Sequence, residues 1–276
     1  MNARIGLRRP LPALVMGLCT LAVVLPLLWV VRVALKPTDD YIGDPGSFGG
    51  GWTLENFGHA WSNGGIGDAL FNSLRIVPLG AVLATVLATL AGYGLSKMLF
   101  PGRRFVFGIA VATMTLPLAA LVIPLFDEGL RLGYVDSRFG LSLIYATLFA
   151  PWGTLFLASY FRGLPDELLE SAQVDGAGTL RAFWSIAVPL ALPAIATVLI
   201  LNVFLQWSEL ILALVMLPDS SKQTITVAIA QFSGQFRTGG PLTAAGMIMA
   251  AAPVMVVFLL GQRWLRAGVT AGAVKG

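Results

Sequence analysis

The chain has 276 residues, of which 57% are hydrophobic and only 12% are charged, and its formal net charge is +4. Soluble domains average about 25% charged residues, so this composition excludes an ordinary soluble protein. No basic stripe with interleaved aromatic residues accompanies the small positive charge, which argues against a nucleic-acid partner.

Six stretches of the chain contain no Asp, Glu, Lys or Arg, and each is at least 21 residues long. A transmembrane helix needs about 20 apolar residues, so the sequence predicts an all-α membrane protein with six transmembrane helices. We expect residues 1–276 to form a single transmembrane domain. The first stretch exceeds the apolar region of a signal peptide and is predicted to be a retained helix. The predicted helices are residues 10–31, 76–96, 105–126, 139–161, 182–208 and 238–262.

Lysine and arginine positions predict the orientation of these helices. If the N-terminus lies inside and the helices alternate, eleven of the 18 Lys and Arg residues lie inside and seven lie outside. Cytoplasmic loops carry the excess of Lys and Arg in membrane proteins. The sequence therefore predicts that both termini lie inside, and that segment 163–181, between helices four and five, faces the cytoplasm.

The outer segments and the second helix offer further patterns. The first outer segment is rich in Gly and is predicted to contain a short helix at Thr53–Ala60, with His59 as an exposed residue. The last outer segment, 218–240, is long enough either to fold inward or to reach a partner. Small residues recur every fourth position on one face of helix two, which predicts a close packing seam within the chain or between chains. These residues are Gly80, Ala84, Ala88, Gly92 and Ser96.

Residues that carry catalytic chemistry are scarce. The chain has no Gly-Lys pair and hence no phosphate-binding loop, and its one histidine excludes an H-E-x-x-H metal site. Its single cysteine, Cys19, is predicted to be a packing residue of the first helix. We therefore expect no enzyme activity and no cofactor or metal in this chain, and its energy source must be a partner.

Four residues near the outer end of helix five are candidates for a substrate path. Polar solutes are bound by hydrogen-bonding side chains and aromatic rings, and ionisable groups near a membrane span are often functional. The same side chains are equally suited to helix packing. The candidates are Asn202, Gln206, Trp207 and Glu209.

Segment 163–181 is charged although long apolar runs flank it. "LPDELLESAQV" predicts a short helix, because Pro165 suits a first helical turn and the acidic residues suit its positive end. Leu168, Leu169 and Ala172 cluster on one side, and Asp175-Gly176 ends the helix. An acidic helix is a poor ligand for the anionic inner leaflet, so a protein partner is the better interpretation.

The same segment resembles the E-A-A-x3-G-x9-I-x-L-P signature of the membrane subunits of ATP-binding-cassette importers. Ser171 replaces the first alanine of the signature and Val188 replaces its leucine. "VDGAGTLRAFWSIAVPLALP", "ALFNSL", "LAGYGLSK" and "RWLRAGVTAGAVKG" are similar to the carbohydrate branch of the family, and most similar to the smaller permease subunit of maltose-type importers. Glu170, Ala172, Gly176, Ile186 and Pro189 stand at the positions of the signature.

The resemblance implies a function. It implies the permease subunit of a binding-protein-dependent sugar importer in the bacterial inner membrane, forming half of the translocation pathway. Its implied partners are a second, non-identical permease, two copies of a cytoplasmic ATPase that bind ATP and Mg, and an extracytoplasmic sugar-binding protein. The tail, through Gly272 and Lys275, is expected to reach the ATPases. The implied ATPase-docking residues are Glu170, Ser171, Ala172, Asp175, Gly176 and Ala177.

Two other functions remain open at this point. One is an importer permease of the same kind for a non-sugar solute, which the cargo of the cognate binding protein would reveal. The other is a stand-alone secondary carrier, which would transport in vesicles without an ATPase. The absence of an internal repeat weighs against the second, because many secondary carriers consist of repeated halves.

Overall fold

The computed structural model describes residues 10–62, 64–235 and 240–273. Within these ranges the chain is helical and contains no strand. A π-helical turn, Phe183–Ala187, joins α9 to α10, and a 3-10 turn, Ser220–Lys222, precedes α12. The helices are α1 (Pro10–Ala34), α2 (Thr38–Gly43), α3 (Glu55–Ser62), α4 (Ile66–Lys97), α5 (Arg103–Thr115), α6 (Leu118–Leu132), α7 (Arg138–Arg162), α8 (Asp166–Val174), α9 (Thr179–Ala182), α10 (Val188–Trp207), α11 (Ile211–Met216), α12 (Ile225–Gln235) and α13 (Gly240–Ala273).

Five helical segments among the described residues are long and apolar enough to cross a membrane, and a bent pair brings the number to six if it forms one span. The five segments are α1, α4, α7, α9 with α10, and α13. They correspond to five of the predicted helices. Two of them are longer than predicted, because α4 begins at Ile66 and α13 continues to Ala273.

The predicted third helix, residues 105–126, is wrong as a single helix. The structure breaks it into α5 and α6, which meet at an angle of 107°. Leu116, at the break, is extended with φ −76° and ψ 124°, and Pro117 follows it. A proline disfavours the helical conformation in the residue before it, so the helix ends there. Charge-free length predicted the apolar stretch and did not detect the break.

The chain divides into two compact units: residues 1–66 with 229–249, and residues 67–228 with 250–276. In the first unit, the loop after α1 folds onto buried cations. Arg32 donates to the carbonyl oxygen of Phe48 at 2.9 Å, and the ammonium group of Lys36 donates to that of Ser47 at 3.2 Å. Asn56 donates to the carbonyl oxygen of Ala34 at 2.8 Å, which ties α3 to the end of α1. The predicted short helix at Thr53–Ala60 is thus confirmed as α3.

The small-residue seam of α4 packs against α7 inside the second unit. Ala84 and Ala88 are fully buried. A Cβ atom at Gly92 would lie 3.0 Å from the Cβ atom of Leu157 and 3.1 Å from the backbone nitrogen of Ala158. Such close backbone approach requires glycine. The seam is therefore a contact within the chain, which the sequence had left undecided.

Segment 218–240, which the sequence predicts to be the last outer segment, packs onto α4 where the second unit includes it. Its backbone pairs with polar side chains of α4: the amide group of Asn72 donates to the carbonyl oxygens of Ser221 at 2.9 Å and Gln223 at 3.1 Å. The Ser73 hydroxyl oxygen accepts from the backbone N–H of Ile225 at 2.8 Å. These bonds satisfy backbone groups that would otherwise be buried without partners.

Candidate functional site

The short helix that the sequence predicts in segment 163–181 is present as α8. Leu169 and Ala172 are 8% and 9% exposed and belong to a core cluster with Tyr93 and Phe161. Leu168, which the sequence placed on the same side, is 42% exposed. The buried face of α8 is therefore narrower than predicted. Leu169 and Ala172 pack against this cluster and hold the helix in place.

A cation at the end of α4 fixes the beginning of this segment. The Lys97 ammonium group forms an ion pair with Asp166 and donates to the carbonyl oxygen of Leu164 at 2.7 Å. The Lys97 side chain is 7% exposed, whereas that of Asp166 is 73% exposed. In the sequence, Lys97 is only one of the positive charges that indicate the inner side. Its role here depends on a contact between residues 69 positions apart, which no local pattern predicts.

The C-terminal end of α8 is a tight glycine turn. Gly176 has a φ of +80°, in the left-handed region that glycine favours. The backbone N–H of Ala177 donates to the carbonyl oxygen of Ala172 at 2.8 Å, which is the six-to-one bond of a Schellman motif. Ala177 then packs against the same core cluster as α8. The turn predicted at Asp175-Gly176 is thus present, and it fixes where the helix ends.

The solvent-exposed face of α8 carries several acidic and small side chains. Glu170, Ser171 and Asp175 are exposed, and Val174 is 87% exposed. The Ser171 hydroxyl group donates to the carbonyl oxygen of Leu168 at 3.1 Å. The structure thus brings the six predicted docking residues onto one nine-residue helix and its terminal turn. The helix is thus anchored at both ends, packs against α9 and the π-helical turn, and exposes its other face.

Of the four candidate substrate-path residues, Asn202 lies at the centre of a buried polar chain. Its side chain is fully buried, accepts from the Trp152 indole N–H at 3.0 Å and donates to the Thr85 hydroxyl oxygen at 3.1 Å. This chain joins α10 to α4 and α7. Buried polar groups in a membrane protein need such partners, so in this conformation Asn202 serves helix packing.

Glu209 is also engaged by the chain itself. Its carboxyl oxygens accept from the Tyr145 hydroxyl group at 2.7 Å and from the backbone N–H groups of Leu212 at 2.8 Å and Ala213 at 3.0 Å. The two backbone donors belong to the first turns of α11, where an anionic acceptor satisfies unpaired N–H groups. Tyr145 was not a sequence candidate, because it lies 64 positions away on another helix.

Gln206 and Trp207 differ in their bonding. The Trp207 indole N–H donates to the carbonyl oxygen of Ala250 at 3.1 Å. The Gln206 amide is buried, and neither of its polar atoms has a partner among the described residues. A Cβ atom added to Gly80 would lie 2.5 Å from the amide oxygen of Gln206, so α4 passes directly over this group. A substrate path through these four residues stays a prediction.

An ion-pair cluster joins two loops at the other end of the second unit. Lys222 pairs with Asp136, and the Asp219 carboxylate lies 3.6 Å from the same ammonium group. The hydrogen bond and charge of Asp136 raise the pKa of Lys222 above its ordinary value. Hydrogen bonds from Ser221 lower the pKa of Asp219. Asp136 has a positive φ of 59°, which is uncommon for a residue other than glycine and shows that this loop is tightly determined.

Of the two predicted tail contacts, Gly272 lies in the last turn of α13. Lys275 lies outside the described residues. His59 lies in α3 and is exposed, as the sequence predicts. No group of three or more metal-ligating side chains occurs in the part of the chain that the structure describes.

Comparison with known proteins shows which family the chain belongs to. Residues 76–270 match the family described as the binding-protein-dependent transport system inner membrane component. The trehalose transport system permease protein of Mycobacterium tuberculosis is 36% identical over 254 residues, which cover 91% of this chain and 92% of that protein. The diacetylchitobiose uptake system permease protein of Streptomyces coelicolor is 30% identical over 260 residues, covering 94% of this chain and 86% of that protein.

A solved structure has the same fold. A chain of a bacterial ABC transporter involved in the import of the acidic polysaccharide alginate superposes with a TM-score of 0.78 at 23% identity, covering 92% of this chain and 94% of that chain. This protein belongs to the binding-protein-dependent transport system inner membrane component family. It is a multi-pass permease of the inner membrane, a transport subunit rather than an enzyme, and the resemblance found in the sequence is confirmed.

Proposed function

We propose that this permease is one of the two membrane subunits of an ATP-driven sugar importer and forms half of its translocation pathway. The sugar class is supported by the relatives, whose names record trehalose, diacetylchitobiose and, in a protein of Bacillus subtilis that is 30% identical, melibiose, raffinose and stachyose. Each of these substrates is an oligosaccharide or a derivative of one.

The observation that carries the proposal is that α8 is anchored on one face and exposed to solvent on the other. We assign ATPase docking to Glu170, Ser171, Ala172, Asp175, Gly176 and Ala177. Ala172 keeps the helix close to the core, the Gly176 turn fixes its end, and Glu170 and Asp175 are exposed to a partner. The chain has no phosphate-binding loop of its own, so ATP and Mg would bind to the docked ATPase subunits.

The orientation follows from the same assignment. With both termini inside, segment 163–181 lies in the cytoplasm, where an ATPase can reach α8. The inner side then carries most of the Lys and Arg residues, as the positive-inside rule requires. The loops that hold Asp136 and Lys222 lie outside, where an extracytoplasmic binding protein would deliver the sugar. The tail residues Gly272 and Lys275 lie inside and are assigned to contact with the ATPase pair.

Four subunit types complete the proposed complex: this chain, a second and non-identical permease, a pair of identical ATPases, and the binding protein. Asn202, Gln206, Trp207 and Glu209 lie on or beside α10, and Gln206 is the one whose polar atoms are left unpaired among the described residues. We propose that these groups meet the sugar in a conformation that differs from the one described here.

Reconstitution tests this function directly. The permease is purified with the subunits that associate with it, placed in vesicles, and supplied with the binding protein loaded with its natural cargo. We expect uptake of a sugar that requires ATP, both permeases and the binding protein. Uptake by this chain alone would identify a secondary carrier, and a binding protein that retains a non-sugar solute would overturn the sugar assignment while leaving the importer in place.

A further inference from the structure

A basic cavity lies where three long helices end. It has a volume of about 680 Å³ and is open to the surface. Its walls come from the C-terminal end of α4, the N-terminal end of α5 and the C-terminal end of α7. Small-molecule sites have volumes of roughly 300–1,000 Å³, so the cavity is large enough for a ligand.

Three arginines line this cavity, and their charge is not neutralised within the described part of the chain. No carboxylate there forms an ion pair with Arg103, Arg104 or Arg162. Arg103 donates to the carbonyl oxygen of Ser96 at 3.3 Å, and the Arg162 guanidinium lies 5.5 Å from the centre of the Phe107 ring. No lining residue is acidic. The positive charge of the cavity therefore favours an anionic ligand.

The backbone adds to this preference for an anion. The thirteen-residue helix α5 begins at the cavity, after Gly102, and no side chain caps its first N–H groups. Unpaired N–H groups and the helix dipole both favour negative charge at a helix N-terminus. The backbone N–H of Arg103 donates to the carbonyl oxygen of Phe100 at 3.4 Å, so the N–H groups of Arg104 and Phe105 are the ones without an acceptor among the described residues. Together with the guanidinium groups they suit a phosphate, which arginine binds through two parallel hydrogen bonds.

Apolar side chains beside the arginines indicate where such a phosphate would come from. Leu99, which lines the cavity, is 92% exposed, and Phe105, next to Arg104 in the chain, is 73% exposed. Both lie at the ends of apolar spans, which is the level of the membrane–water interface. A soluble phosphate would gain nothing from these side chains, whereas the acyl chains of a lipid would cover them.

We propose that this cavity binds the phosphate headgroup of an anionic phospholipid, with Arg104 and Arg162 contacting the phosphate and Leu99 contacting an acyl chain. In the proposed orientation the lipid lies in the cytoplasmic leaflet, where anionic lipids attract basic groups. The lipid would bridge α5 and α7 close to α8, and would stabilise the end of the bundle that carries the docking helix.

Native mass spectrometry of the purified full-length chain tests the proposal. The protein is titrated with phosphatidylglycerol or with phosphatidylcholine, and the retained lipid is counted. We expect preferential retention of phosphatidylglycerol, by about tenfold or more. Each arginine near an anionic headgroup contributes about fivefold in affinity, so Arg104→Gln with Arg162→Gln should weaken this binding about 30-fold.

Arg263→Gln is the matched control, since Arg263 is an exposed arginine that lies over the Trp264 ring and does not line the cavity. It should retain the wild-type preference. If the double variant aggregates, the wild-type comparison and Arg162→Lys decide the question. Because lysine keeps the positive charge, Arg162→Lys should retain phosphatidylglycerol to within about threefold.

Three results would overturn the proposal. Equal retention of the two lipids by the wild type would show that the cavity does not select an anion. Displacement of phosphatidylglycerol by millimolar inorganic phosphate would make it a site for soluble phosphate. Loss of co-purifying partner subunits from the double variant, without any lipid preference in the wild type, would make it a contact with an acidic protein segment.

Discussion

Charge reversal at Glu170 separates docking from folding. Glu170 is exposed on α8, and its side chain forms no hydrogen bond or ion pair with the described residues. Surface substitutions of this kind change the free energy of unfolding by no more than about 0.5 kcal/mol. Glu170→Lys should therefore reach the membrane at wild-type levels.

The effect on docking is expected to be much larger. If Glu170 forms a charge pair that becomes buried against the ATPase, losing it costs about 2–5 kcal/mol. Even the lower figure is about a 30-fold loss in affinity. Introducing a lysine also adds repulsion against the partner cation, so sugar uptake should fall at least as far.

Gly176→Ala gives a second, graded perturbation of the same element. A Cβ atom at this position meets nothing within 4 Å, so the cost comes only from the left-handed backbone at φ +80°. That cost is about 1–2 kcal/mol. It should loosen the end of α8 and weaken ATPase binding by an intermediate amount, without unfolding the membrane domain.

The assay compares three quantities for each variant: permease level in the membrane, ATPase retained on a tagged permease, and ATP-dependent sugar uptake. Glu128→Lys is the control, because it reverses an exposed acidic residue of α6, away from α8. It should match the wild type in all three. Wild-type ATPase retention and uptake in Glu170→Lys, at normal membrane levels, would refute the docking assignment.

Three further predictions concern topology and packing. In a Cys19→Ser background, a cysteine at Ser220 should react with an impermeant reagent in intact cells, and a cysteine at Gly178 should react only after the membrane is opened. Tyr145→Phe should lower the free energy of unfolding by about 1–3 kcal/mol, because it removes one of the two donors to a buried Glu209 oxygen and leaves only the backbone N–H of Ala213; thermal unfolding in detergent measures this. Gly92→Ala should destabilise by about 1–3 kcal/mol through overpacking against Leu157, also measured by thermal unfolding.

Each of these predictions has a matched comparison. The opposite labelling pattern would show that the orientation is the reverse of the proposed one. Tyr160→Phe removes a hydroxyl group from an exposed bond to the carbonyl oxygen of Leu190, and it should cost less than Tyr145→Phe. Gly94→Ala, on the same helix as Gly92, meets nothing within 4 Å and should be neutral or stabilising through helix propensity. Equal effects within either pair would contradict the packing argument.

Properties that depend on local composition were predictable without a structure. The spacing of charges predicted the apolar spans, because the thickness of the bilayer acts on each segment independently. The helix in segment 163–181 and its glycine turn were also predictable, since an acidic first turn and a left-handed glycine act within a few residues. The signature around Glu170 and Gly176 then indicated the family.

Tertiary structure decided whatever depends on residues that are distant in sequence. Pro26 and Pro78 lie inside unbroken helices, whereas the chain turns by 107° at Pro117. Helices tolerate proline where neighbouring groups satisfy the freed carbonyl, and no local pattern shows whether they do. Glu209 likewise looked like a substrate residue in the sequence. Two of its donors, the backbone N–H groups of Leu212 and Ala213, are close in sequence, and only the approach of α7 adds Tyr145 as the third. A buried carboxyl group needs such donors.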